Sequence, residues 1–416
     1  YVGQDFVIPV LPAKTKAVGV FVNEPTENIL ALSKKAGFQV VQLHGDEGQD
    51  EIDALHAEGL TVIKAVSVAV EEDVEGLSLK PDFYLFDTKT GKLTFESKTE
   101  GVKNPSYLAI SKNGDYVYAV GEGEKSSAYA FNFDNRKGEL TLINTQETVG
   151  KGPCYISISL DERFVVTANY GGGSTSVLPI NPDKSLGPIV QLIQHTGSSI
   201  NKSRQSAPHA HSAMFDANGE KIYVADLGVD QLFEYDYQPT HSNPLSWKNE
   251  KVIKVNEGAG PRHFTFNQAE DKLYILNELL ATISVFNKTD KEFKQIQYVS
   301  LNDDNFIGTN GAADIHLSAD GKFLYASNRG SVNDIVIFKV NKKTGELARI
   351  GKQSTLGKVP RNFLIDPSDN FLLVANQNSD DVYVFKRNRK TGLLSYTNEM
   401  IKVGSPVCLK MTPVVY

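Results

Sequence analysis

Cysteine is nearly absent from this chain: there are two among 416 residues, Cys154 and Cys408. One disulfide is arithmetically possible, but a disulfide framework is not. There is no apolar run long enough to span a bilayer, and no secretory signal is visible. There is also no excess of positive charge. The net charge of −7 argues against nucleic acid as the main partner. It leaves room for an anionic small molecule, because a few local arginines can outweigh the global balance. Proline and glycine are scattered rather than clustered, so no long disordered region is expected. A cytoplasmic location is the default expectation, with no membrane partner. What the chain does have is length and 40% apolar residues, enough for a sizeable core and too much for one ordinary small domain.

Two unlike regions follow one another. Residues 16 to 88 alternate strand and helix patterns. "AVGVFV" reads as a buried strand and "TENILALSKKAG" as an amphipathic helix, with Thr26 able to cap it and Gly37 able to end it. "FQVVQLHG", "TVIKAVSV" and "PDFYLFDTK" read as further strands, with "DEIDALHAEG" a second helix, which predicts a parallel βα unit. From about residue 89 the helix signals vanish, and short strands with tight turns recur to the end. A Gly/Pro step opens each unit: "VKNPSYLAIS", "GKGPCYISIS", "QSAPHAHSAMF", "GAGPRHFTFN", "TNGAADIHLS", "GKVPRNFLID" and "VGSPVCLKM". A repeat of roughly 45 to 55 residues with four strands predicts propeller blades. Six units are complete, and the seventh has only its inner strand at the C-terminus. Its missing strands are expected from "FYLFDTKTG" and "KLTFESKTEG", which would leave no open sheet edge. The fold class expected is mainly β. It is a seven-bladed β-propeller over residues 84–416, with an N-terminal α/β segment over residues 1–83 that is inserted or fused and resembles part of a βα-barrel.

In a blade hairpin, the start of strand one and the end of strand two come side by side. Arg262 and His263 start one such strand, and Glu278 ends its partner. The same channel mouth should collect His209 and His211 of "APHAH", Asp226, and Asp314 and His316 of "ADIH". Asn328, Arg329, Arg361, Asn362, Asn376 and Gln377 should join them. The i, i+2 spacings put each pair on one strand face. Converging ionic groups of different kinds favour a binding site. A plain Arg262–Glu278 inter-strand salt bridge is the simpler alternative, and the recurring Asn169, Asn277, Asn328 and Asn376 fit turn or inter-blade hydrogen bonding. No metal motif is evident. Asp226, Glu278, Asp314 and His316 would be the oxygen-rich set for a cation, but they lack dense acidic clustering.

These motifs resemble the seven-bladed propeller lactonase family, which includes the propeller type of 6-phosphogluconolactonase and the fungal carboxy-muconate cyclase. The resemblance rests on "NPSYLAISKNGDYVYAV", "APHAHSAMFDANGEKIYVADLGVDQLFEYDY", "GPRHFTFNQAEDKLYILNEL" and "HLSADGKFLYASNRG". It implies hydrolysis of an anionic sugar lactone, with 6-phosphogluconolactone leading and no cofactor. By motif the catalytic set falls on His209 (or its neighbour His211), Arg262, Glu278 and Arg329. Glu278 or His209 would be the base and Arg262 the oxyanion partner, with Arg329 and Arg361 candidate phosphate binders. His211, His263, His316, Arg361 and Asn362 complete the expected substrate-binding set. A cycloisomerase and a non-catalytic interaction scaffold are the alternatives.

The N-terminal segment resembles the middle of phosphoribosylanthranilate isomerase, through "AVGVFVNEP", "VVQLHGDE", "TVIKAVSV" and "FYLFDTK". That resemblance would make Asp87 a general acid, but roughly four of eight strands cannot close such a barrel. The segment is not expected to isomerise anything alone. Tyr1-Val2-Gly3 is a candidate propeller strand, with the βα segment inserted after it. The apolar sheet of a half-barrel favours loose packing or dimerisation, so a monomer or weak dimer is expected.

Overall fold

The computed structural model of the chain describes residues 17–45, 47–65, 83–84, 91–93, 97, 99, 101–123, 125–134, 138–247, 251–290 and 292–412. They fall in two compact units. The first holds a four-stranded sheet of Val18–Phe21, Val40–Leu43, Thr61–Lys64 and Phe83–Tyr84, paired in that order and parallel throughout. Helices Thr26–Ala36 and Gln49–Ala57 connect the first three strands. Gly37 ends the first helix as expected, at φ 80 with its N–H on the Ser33 carbonyl (2.7 Å). Thr26 does not cap it; Pro25 holds the cap position and Thr26 is the first helical residue, since a proline ring pre-sets the entry to the first turn. The first strand also differs from its buried reading. Val18 and Val20 are 43% and 53% exposed, with no cover on that face among the described residues. Of the expected seventh-blade strands at 83–91 and 92–101, Phe83–Tyr84 pair instead with Ile63 and Lys64 in this parallel sheet; residues 85–90, which include Asp87, and 94–96, like Tyr1–Gly3, lie outside the described residues.

The second unit is a β-propeller. Six antiparallel sheets follow one another, each running from its inner strand outward in chain order. The inner strands are Pro105–Ile110, Pro153–Ile158, Ala210–Phe215, Pro261–Phe266, Ala312–Leu317 and Pro360–Ile365. They pack against one another from blade to blade. Each is six residues long, and most of their first four positions are buried.

Neighbouring blades are joined by side chains that replace missing ladder bonds. Asn144, Gln191 and Gln297 on outer strands each bond both the N–H and the carbonyl of one residue in the next blade, Leu186, Leu245 and Leu347 respectively. Tyr118 and Tyr325 donate their hydroxyls to carbonyls of the following blade, Lys184 (3.1 Å) and Gly392 (2.7 Å). The segment around 405–412 lies between the last and first described blades. The Leu409 N–H bonds Asn362 Oδ1 (2.7 Å), and the Lys410 ammonium sits over the Tyr107 ring (4.8 Å). Among the described residues, no helix is long and apolar enough to cross a membrane.

The same irregularity recurs in every blade. Pairing between strands one and two skips a residue near the start of the inner strand, at Ser106, Cys154, His211, Arg262, the pair Ala313-Asp314, and Arg361. These are β-bulges, which re-aim a side chain out of strict alternation. One further ladder bond closes each hairpin, and it places a second ring of residues: Glu122, Tyr170, Leu227, Glu278, Arg329 and Gln377.

Candidate active site

Two rings of equivalent backbone positions thus carry unlike side chains to one rim. Two of them, Arg262 and Arg329, meet the Glu278 carboxylate of the second ring, and Arg204 joins them from a loop outside both rings. Arg262, in the bulge of the fourth blade, brings Nε to 3.1 Å from Oε2. That nitrogen lacks the alignment of a hydrogen bond, so the contact is ionic. Arg329 Nη2 lies 3.1 Å from the same oxygen, and Arg204 Nη2 lies 2.7 Å from Oε1. Arg262 is also fixed through Nη1 on the Ala313 carbonyl, and Arg329 through Nε on the Gly311 carbonyl (2.7 Å).

These contacts set the charge states. Burial by itself would raise the Glu278 pKa, but Arg329, Arg262 and Arg204 outweigh it and hold the carboxyl down at about 2. Burial lowers Arg262 to about 9, helped by the like charges of Arg329 and Arg361 and opposed by Glu278 and Asp314. Arg361 makes no hydrogen bond or ion pair among the described residues, yet its charge is felt at Arg262, Arg329 and His211. The rim therefore carries more positive than negative charge and is suited to an anion.

His209 lies just before the inner strand of the third blade. Its ring stacks on Tyr170 at 4.6 Å, and Nδ1 is 2.9 Å from the Tyr170 carbonyl. A carbonyl only accepts, so Nδ1 is the donor here, and Nε2 has no partner among the described residues. Asp226, fully buried, fixes this turn by accepting the N–H groups of His209 (2.7 Å) and Gly228 (2.9 Å) while His195 Nδ1 holds its other oxygen (2.7 Å). Tyr170 then joins the two halves of the site, since its hydroxyl accepts from Arg204 (3.0 Å).

Below the rim, His211 and His263 meet edge to face at 5.4 Å. Burial, reinforced by Arg262, lowers both, His263 to about 4, so both are neutral. Asp314 is buried among His263 Nδ1 (2.8 Å), His316 Nε2 (3.0 Å) and the Asn362 amide. Burial opposes its charge, and the two imidazoles and their hydrogen bonds keep it ionised.

A family model described as "Lactonase, 7-bladed beta-propeller" matches residues 80–411. The chain belongs to the seven-bladed β-propeller lactonase family. A 6-phosphogluconolactonase of Formosa agariphila is 37% identical, over 78% of this chain and 93% of its own. A 6-phosphogluconolactonase of Bacillus subtilis is 34% identical, over 79% and 93%. Among solved structures, a periplasmic gluconolactonase of Pseudomonas aeruginosa superposes with a TM-score of 0.76 at 34% identity, covering 79% of this chain and 94% of that one. Residues 5–99 match the family model of N-(5'-phosphoribosyl)anthranilate isomerase.

Within this family fold the residues singled out in the sequence fall into three groups. Arg262, Glu278 and Arg329 are in direct ionic contact, and the Arg262–Glu278 pair is part of a larger cluster rather than an isolated strand bridge. His209 reaches them through Tyr170 and Arg204. His211, His263, His316 and Asn362 lie in the network beneath, and Asn362 has both ends of its amide engaged by protein, on Asp314 and Leu409. The i, i+2 argument for His209 and His211 does not hold. His209 precedes the strand and His211 occupies a bulge, where alternation is broken. The acidic residues considered for a cation are each engaged by protein donors. Of the recurring asparagines, Asn277 acts within its blade, with Nδ2 on Thr282 Oγ1 (3.1 Å) and Ser284 Oγ (3.0 Å), whereas Asn328 Nδ2 reaches Asn302 Oδ1 (3.0 Å) and Asn376 Nδ2 the Thr355 carbonyl (3.1 Å) on the connections from the preceding blades. Cys154 is no nucleophile, since burial pushes its thiol up to about 12.

Two members were missed. Tyr170 is the second-ring residue of its blade, and its place in "VVTANYGGG" beside the repeated asparagine could have revealed it. Arg204 comes from the loop "GSSINKSRQSAP", outside the repeat, and no periodicity could have pointed to it.

Proposed function

We propose that this chain is a carboxylic ester hydrolase that opens a sugar lactone, with 6-phosphogluconolactone the leading substrate. Family membership and the names of the two relatives support the reaction class, and the cationic rim supports an anionic substrate. The observation that carries the reading is the pairing of an imidazole, whose Nε2 has no partner among the described residues, and a fixed cluster of guanidiniums. His209 Nε2 takes a proton from water as the oxygen attacks the lactone carbonyl. Arg262 and Arg329 face the oxyanion that develops and need no reorganisation, because their other donors are already tied down. The ring oxygen then leaves and is protonated as the ring opens. Glu278 is a poor base at neutral pH with a pKa near 2, and its role is to hold the guanidiniums in place.

The test is lactone hydrolysis measured against spontaneous opening. Replacing His209→Asn is expected to lower kcat by about 10²- to 10⁴-fold with an unchanged circular dichroism spectrum. A variant with wild-type turnover would remove His209 from the reaction. We infer further that the segment around 405–412 is the inner strand of the seventh blade. The contacts of Leu409 and Lys410 with the sixth and first blades support this. A phosphorylated substrate also supports a cytoplasmic location, because such esters do not cross membranes unaided.

A further inference from the structure

The guanidiniums at the rim differ in how many donors they have left. Arg262 and Arg329 are 2% and 14% exposed, and most of their nitrogens are engaged by Glu278 and by backbone carbonyls. Arg204 is 43% exposed and uses Nη2 alone, on Glu278 and Tyr170. Its Nε and Nη1 have no partner among the described residues. A guanidinium presents five N–H donors in a rigid fork, and those of Nε and Nη1 lie on different edges of it, so each can take one oxygen of an anion.

The loop that carries Arg204 is built to hold it. It runs from His195 to His209, the longest connection between described blades. The backbone N–H groups of Arg204 and Gln205 both bond the Asn201 carbonyl (3.1 and 2.7 Å), and the Ser199 N–H bonds that of Gln205 (2.9 Å). Gln205 is fully buried, with Nε2 on the Leu227 carbonyl and on Asp230 Oδ1 (both 2.8 Å). Asp230 also accepts the N–H groups of Gly258 and Gly260 (both 2.7 Å). The Gly260 carbonyl in turn bonds the Glu278 N–H (2.7 Å). One buried carboxylate therefore sets both ends of the Arg204–Glu278 contact. A side chain on so firm a mount, half in solvent and with two idle donors, is more than a partner for Glu278.

We propose that Arg204 is the residue by which the site distinguishes a phosphorylated sugar lactone from its unphosphorylated counterpart. This rests on the lactonase reading. With the carbonyl carbon held at Arg262 and Arg329, the far end of a six-carbon lactone points back toward the mouth. There Nη1 of Arg204 donates to the phosphate while Nη2 keeps Glu278. Charge-assisted bonds to a phosphate are strong, and a ligand lacking the phosphate forgoes them at little other cost.

The experiment measures binding of the stable products, 6-phosphogluconate and gluconate, by titration calorimetry, so its answer does not depend on turnover. The intact protein is expected to prefer the phosphorylated acid by at least about tenfold, and Arg204→Gln to reduce that preference to about threefold or less. Arg204→Lys should fall between the two, keeping the charge without the fork. Lys202→Gln removes an exposed charge from the same loop and should leave the preference intact. No preference in the intact protein, a preference that survives Arg204→Gln, or an equal loss in Lys202→Gln would each overturn the proposal. An absence of lactone turnover in the intact protein would instead count against the lactonase reading, whatever the binding ratio.

Discussion

A guanidinium buried beside two others cannot hold its proton as it would in water, and Arg262 is in that position. Burial and the charges of Arg329 and Arg361 bring it down to about 9, with Glu278 and Asp314 restoring only part of the loss. The protonated form supplies the positive charge that an oxyanion needs, so the active form is lost as pH rises through that value. We expect kcat/KM, corrected for spontaneous opening, to fall above about pH 9; a profile flat to pH 10.5 would show that Arg262 keeps its charge or is not needed. The residue types of the site were legible because they vary around a repeat: at the positions of Arg262, Glu278 and Arg329 the other described blades carry mostly unlike side chains, with Arg361 and Glu122 the matches. Their charge states were not legible. Glu278 reads in sequence as a candidate base, and only the convergence of three arginines from separate segments turns it into an anchor.

At the scale of single elements, the bulge is the feature that matters. Strand alternation correctly marks the inner strands, and it fails at the one residue per blade that the bulge redirects. A bulge is set by how two strands pair, a relation between segments that neither one encodes by itself. The N-terminal sheet offers a separate test of how buried charge behaves. Lys64 Nζ lies 2.6 Å from Glu47 Oε2, both side chains are 3% exposed, and Glu47 also accepts the N–H groups of Asn23 (2.6 Å) and Gly45 (2.9 Å). Burial would raise the Glu47 pKa, but Lys64 and these N–H groups lower it, so removing Lys64 leaves a buried anion without its cation. Lys64→Met should therefore destabilise this sheet by about 3–5 kcal/mol, and the double change with Glu47→Gln should recover part of that loss. Urea unfolding followed by amide exchange of Thr61–Lys64 would measure both. Equal stability of Lys64→Met and the parent protein would mean that the pair is not closed in solution.

Taken whole, the chain joins two units of unequal solidity. The blades are sheets cross-linked to their neighbours by amide and hydroxyl side chains, whereas the N-terminal sheet rests on a small cluster around Ile29, Val41, Leu43, Ile52, Leu55 and Val62 and leaves Val18, Val20 and Val22 exposed. Local opening should be easier where fewer apolar groups are buried. Hydrogen exchange is expected to be faster in Val18–Phe21 and Thr61–Lys64 than in Lys272–Asn277; equal protection would contradict this ranking.

The sequence by itself determined the blade repeat, the parallel βα segment and the meeting of Arg262, Glu278 and Arg329 at the rim. Each of these follows from local periodicity and turn chemistry, which act over a few residues. Tertiary structure alone decided that Arg204 joins the site, that His209 Nδ1 donates to the Tyr170 carbonyl and that Glu278 stays ionised. Those outcomes depend on distances between segments that lie far apart along the chain, and charge and hydrogen bonding respond to such distances rather than to sequence order.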